Sequence, residues 1–169
     1  MLDVLPSARL VSNWDRHALE LRYNGDLSFF SEYNTENDKA YQLEARGRLD
    51  IDKRTNIQAI LSRDHNQESR SALDASSVGP RTNVTVDRAE GAFNHRFNRL
   101  SVQFRGSVTD NSFGDASFNG TPIINSDRNY TQTEEITRAS WDAVNDVFLH
   151  SKLITRRHAY DDTIVAPPA

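Results

Sequence analysis

Hydrophobic and polar residues alternate along much of this chain. Alternation with a period of two marks a strand held between two environments, because successive side chains point to opposite faces. Over residues 19–29 the odd positions read Leu19, Leu21, Tyr23, Gly25, Leu27 and Phe29, and the even ones Glu20, Arg22, Asn24, Asp26 and Ser28. Over 41–52, Tyr41, Leu43, Ala45, Gly47, Leu49 and Ile51 interleave with Gln42, Glu44, Arg46, Arg48, Asp50 and Asp52. Over 100–109, Leu100, Val102, Phe104, Gly106 and Val108 interleave with Ser101, Gln103, Arg105, Ser107 and Thr109. Weaker alternation at 9–14, 56–64, 84–97, 130–141 and 147–157 brings the predicted total to eight strands. In 130–141, Glu135 falls in the same file as Ala139 and Trp141, so that segment is assigned on its Thr-rich, β-branched composition.

The connections alternate in length as well. Residues 14–17, 52–55, 96–99 and 143–146 are tight polar turns, whereas 34–38, 66–81 and 111–127 are longer and rich in Asn, Ser, Asp and Gly. Short turns at one end and long loops at the other predict an up-and-down antiparallel meander. The turns recur about every 40 residues as a loose structural repeat. The expected organisation is one β domain over 1–169 with a frayed tail at 163–169.

Alternation does not say whether the apolar face meets a protein core or lipid. Strands of soluble proteins usually run about 5 to 6 residues, while tilted transmembrane strands need about 9 to 11, and the clean segments fit the longer figure. Each polar file carries both charge signs, as in Glu44, Arg46, Arg48 and Asp50, which suits a wet barrel lumen. Aromatic residues gather near strand ends, Trp14 and Phe97 by tight turns and Phe29, Phe30, Tyr33, Tyr41, Phe113, Tyr130 and Tyr160 towards long loops. Interfacial girdles place them so, as does ordinary sandwich packing.

Composition narrows the choice without making it. The 169 residues are 37% hydrophobic, mean hydropathy is -0.68, and the longest apolar run is three residues, as at 59–61, so no helical span of about 20 residues exists. A closed barrel is still compatible with that figure, since in lipid it satisfies every backbone group while half its side chains face water. The net charge of -4 is mixed along the whole length and leaves no nucleic-acid footprint. Without Cys there is neither a disulfide framework nor a thiolate metal site. No secretory leader opens the sequence at Met1.

Catalytic and metal patterns find little support. The histidines His17, His65, His95, His150 and His158 are scattered, and Glu134 and Glu135 would face opposite sides of a strand. No nucleophile elbow, P-loop or dinucleotide fingerprint occurs. Ser101 or Ser107 with His95 across the tight turn is the one imaginable hydrolase pair. No enzyme activity, cofactor or metal is expected. Gly25, Gly47 and Gly106, each in an apolar file, are read as places where a neighbouring aromatic covers bare backbone.

The succession of segments 6–30 (PSARLVSNWDRHALELRYNGDLSFF), 41–62 (YQLEARGRLDIDKRTNIQAILS), 95–108 (HRFNRLSVQFRGSV) and 156–162 (RRHAYDD) resembles the type 2 family of β-barrel porins of Gram-negative outer membranes. Members of that family are often associated with exopolysaccharide export loci. The resemblance covers nearly the whole chain, rests on order and spacing rather than one motif, and carries over no catalytic residue. It implies an all-β, up-and-down transmembrane barrel in the outer membrane, in contact with its lipid and passing small solutes or exported polysaccharide. Family members begin with a secretory signal and end on further strands, so the expectation here is part of a larger barrel.

The residues expected to line its lumen are the polar files: Glu20, Arg22 and Asp26; Glu44, Arg46, Arg48 and Asp50; Gln103 and Arg105; His150, Lys152 and Arg156. They set charge selectivity if the barrel is hollow and form an ion-paired plug if it is filled. The rival expectation is a soluble or periplasmic β-sandwich that binds glycans through loop aromatics such as Trp14 and Tyr130.

Overall fold

The computed structural model describes residues 1–31, 37–68, 80–142 and 148–160. The turn expected at 143–146, the frayed tail, Tyr33 and most of the two loops predicted at 34–38 and 66–81 lie outside the described residues. Within them the chain is almost wholly antiparallel strand: β1 Leu2–Val4, β2 Ser7–Val11, β3 Ala18–Phe29, β4 Asp38–Asp50, β5 Thr55–Gln67, β6 Asn83–Arg96, β7 Leu100–Phe113, β8 Ala116–Phe118, β9 Thr121–Ile123, β10 Tyr130–Asp142 and β11 Phe148–Tyr160. No helix among these residues is long and apolar enough to cross a membrane, which says nothing about crossing by strands.

The main sheet is a meander in the order β1, β3, β4, β5, β6, β7, β10, β11, with β2 on the same side of β3 as β1. β1 and β2 share one register against β3, from Leu2 opposite Phe29 to Val11 opposite Glu20. Leu5 and Pro6 interrupt them, Pro6 having no N–H to give the ladder, and the Pro6 carbonyl still accepts from the Gly25 N–H at 2.8 Å. The first strand is thus one run from Leu2 to Val11, not the short 9–14 segment that alternation suggested, and Trp14 belongs to the following turn. Neither this strand nor β11 pairs with the other, so both are edges of the sheet.

The tight turns carry their own polar ties. In the β4–β5 turn the Asp52 carboxylate accepts from the Arg54 N–H at 2.6 Å and the Thr55 hydroxyl at 3.1 Å, the local bonding that makes Asp a turn residue. Those bonds, the Arg54 N–H first, hold the Asp52 carboxyl below its usual range. At the other end the loop between β7 and β10 is built rather than irregular. β8 and β9 form a hairpin over Asn119-Gly120, with φ of 51° and 80°, the left-handed pair that a two-residue hairpin turn requires. A 3-10 turn, Ser126–Arg128, follows.

The sheet has no conventional core. Ala92 and Ile136 are the buried hydrophobic residues among those described, and both stand on the polar face in register with Arg105. The bulk of the apolar side chains lie in the open on the other face. Leu21, Leu43, Leu61, Phe104 and Leu153 are all exposed, up to 67% for Leu153. Soluble monomers rarely leave apolar patches larger than a few hundred Å² open to water.

Candidate functional site

Strand register sorts every side chain of the sheet onto one of two faces. The apolar face carries Leu10, Leu21, Ala45, Leu61, Ala89 and Val108 in one band and Leu49, Ile57, Phe93, Phe104 and Thr137 in another. From Leu100 to Val108 this face of β7 contains nothing polar. That stretch spans about 27 Å along the strand at about 3.4 Å per residue, or about 21 Å in height at a tilt of about 40°, against about 25 Å for the lipid-facing band of outer-membrane barrels. The band ends at a polar row. There Arg63 donates to both oxygens of Asp87 at 2.7 Å, and the Thr131 hydroxyl donates to Asp110 at 2.9 Å.

The opposite face is ionic. All twelve residues expected from the polar files fall on it: Glu20, Arg22, Asp26, Glu44, Arg46, Arg48, Asp50, Gln103, Arg105, His150, Lys152 and Arg156. Most of them join ion pairs or side-chain hydrogen bonds. Arg9 and Arg22 both donate Nε to the same Glu20 oxygen at 2.5 and 2.6 Å. Arg46 pairs with Glu44 and Arg48 with Asp50, each at 2.8 Å. Arg156 pairs with Glu134, and the Ser140 hydroxyl meets the His150 ring at 2.9 Å. A chain of amides crosses four strands, from Gln58 and Asn94 on Asn56, through Gln103 to Arg138.

Arg88, Glu90, Asn94, Glu134 and Arg138 belong to this face as well, although they were not among the residues expected to line a lumen. Glu90, on β6, is the most covered of these carboxylates, at 7% exposure, with Arg88 Nη2 at 2.6 Å and Arg105 Nε at 3.3 Å. The alternation of Arg88, Glu90, Ala92 and Asn94 was visible, but Asp87 and Gly91 dilute the opposite file and hide the strand's parity.

The disfavoured Ser–His pairing is absent, and the expectation for two of the glycines fails on geometry. His95 stands on the apolar side, bonded to the Thr55 hydroxyl at 2.8 Å, while Ser101 and Ser107 stand on the polar side, so no Ser–His pair forms. Gly47 and Gly106 are not covered by aromatics, since a Cβ built on either meets nothing within 4 Å. Gly25 alone is crowded, by the Pro6 ring and the Tyr23 hydroxyl, which lie 2.8 and 2.9 Å from such a Cβ.

On the long-loop side, ion pairs tie the connections together. Arg128 donates to both oxygens of Glu68 at 2.7 and 3.1 Å and lies over the Phe113 ring. The guanidinium beside it lowers the Glu68 carboxyl from its usual range. Asp115 accepts from the N–H groups of Asn125 and Ser126 at 2.7 and 2.9 Å, and these bonds lower its carboxyl in turn.

A one-layer antiparallel meander of 12- to 14-residue strands, oily on one face and ion-paired on the other, is the pattern of a transmembrane β-barrel protein. The chain belongs to the family described as "Putative beta-barrel porin 2", which it matches over residues 1–165, and this places it among outer-membrane barrels. No curated protein and no solved structure matches it.

Proposed function

We propose that this chain forms the wall of an outer-membrane conduit, with its apolar face against lipid and its ion-paired face lining an aqueous lumen for small solutes or an exported polysaccharide. The observation that carries this reading is the separation of the two faces across most strands of the main sheet, cleanest in β3, β4 and β7. It leaves large apolar side chains such as Leu61 and Leu153 exposed while arginines and carboxylates pair opposite. In lipid the cost reverses: the exposed apolar file is solvated, and the ladder satisfies the backbone groups that hydrocarbon does not.

The reading is tested with the full chain folded into detergent and reconstituted in planar bilayers. A barrel resists dodecyl sulfate until heated, and so changes its gel migration on boiling; a conduit then gives discrete conductance steps. A monomer that folds in plain buffer with no detergent contradicts it.

A further inference from the structure

Resting on that conduit reading, we infer that the polar face selects anions, and that solutes bearing carboxylate or phosphate groups are the class it favours. Three adjacent register rows cross the middle of the sheet. One carries Arg9, Arg22 and Arg88 with Glu44; the next carries Arg46 and Arg156 with Glu20, Glu90 and Glu134; the third carries Arg48 and Arg105 with no carboxylate. Seven arginines thus stand against four glutamates in these rows, one of them, Arg48, pairing with Asp50 of the row beyond, in a chain whose net charge is -4. On this face the rows nearer the long loops are the reverse, with Asp3, Asp26, Asp38 and Asp64 and no Lys or Arg among the described strand residues, although Arg81, outside the strands, pairs with Asp38.

The surplus is built into the contacts. Glu20 holds both Arg9 and Arg22, and Glu90 holds both Arg88 and Arg105, so each of these carboxylates neutralises one guanidinium and leaves the charge of a second. Exposure adds a second, independent sign. The carboxylates lie down on the sheet while the arginines stand out from it: Arg88 is 45% exposed against 7% for Glu90, and Arg46 50% against 16% for Glu44. A passing solute therefore meets guanidinium groups first. Their planar fork matches carboxylate and phosphate, and a ring of one charge sign sets which ions a pore admits.

The test is the reversal potential of the reconstituted full chain under a KCl gradient. The expected sign corresponds to chloride permeating more readily than potassium, by about threefold or more. Arg46→Gln, Arg88→Gln and Arg105→Gln together abolish or invert that preference. Glu44→Gln removes a carboxylate and no arginine, so it raises the preference, and it serves where the triple variant fails to fold. Open channels that favour potassium, or a ratio unmoved by Glu44→Gln, overturn the inference while leaving the conduit standing. Folded protein that gives no conductance overturns both.

Discussion

Glu134 and Glu135 are neighbours in sequence and occupy opposite worlds. Glu134 faces Arg156 on the ion-paired side, while Glu135 stands in the apolar file, in register between Gly106 of β7 and Thr155 of β11. A carboxylate in a lipid-facing row is a cost that its neighbour does not carry. Glu135→Leu is therefore expected to raise the urea midpoint of the folded protein in lipid vesicles. Glu134→Gln, which leaves Arg156 without its carboxylate, is expected to lower it.

The same parity governs Leu61 and Ser62. Leu61 is 58% exposed in the apolar band, and Ser62 lies in register with Glu44 and Arg88 on the other face. An arginine near the bilayer midplane costs about 2 to 4 kcal/mol on a barrel's lipid face. Leu61→Arg should lose about that much in vesicle unfolding titrations. Ser62→Arg, placed beside Glu44, should lose less than about 1 kcal/mol.

The glycines separate by what surrounds them. Gly106→Ala places its Cβ in open space and is expected to change stability by less than about 0.5 kcal/mol. Gly25→Ala drives a Cβ to within 2.8 Å of the Pro6 ring, and overpacking of that kind costs about 1 to 3 kcal/mol. Equal unfolding midpoints for the two variants would remove the close approach of Pro6 as a packing constraint.

Acid should loosen the β7–β10 loop before the sheet. The Asp115 carboxyl is lowered by the Asn125 and Ser126 N–H groups it accepts from, so its contribution is whole above the ordinary carboxylate range. It is lost as pH falls through the lowered folded-state value. Hydrogen exchange of a peptide covering 114–129 is expected to quicken in acid, after correction for the intrinsic rate, while the β6–β7 amides keep their protection. Asp115→Asn should show the quickened exchange at neutral pH.

Much of this was legible in the sequence, because strand parity is written directly into residues such as 19–29 and 100–108. The edges of that legibility have physical causes. Pro6 breaks the ladder without breaking the register, so the first strand looked shorter than the run from Leu2 to Val11. The Asn119-Gly120 turn and its hairpin sat inside a stretch read as plain loop, although that dipeptide is a strong hairpin signal. Of the polar face, the clean strands supplied every residue expected of them. Arg88, Glu90 and Arg138 lay on strands whose apolar file holds Asp87 or Glu135, and there register against the neighbours, not periodicity, fixes the facing. Which carboxylate each arginine takes is a matter of three-dimensional neighbours, as with Arg105 on Glu90, and has no one-dimensional trace.

The chain contains no cysteine, so single cysteines can be placed one at a time from Ser101 to Val108 and read without background. In bilayers, a charged, water-soluble maleimide should react at 101, 103, 105 and 107 and spare 102, 104, 106 and 108. Fluorophores attached before reconstitution should show the complementary set quenched by brominated lipid. Two alternating patterns out of phase are the result expected of a wall between lipid and water. Uniform labelling of all eight positions by the aqueous reagent, with no lipid quenching at any, would contradict it.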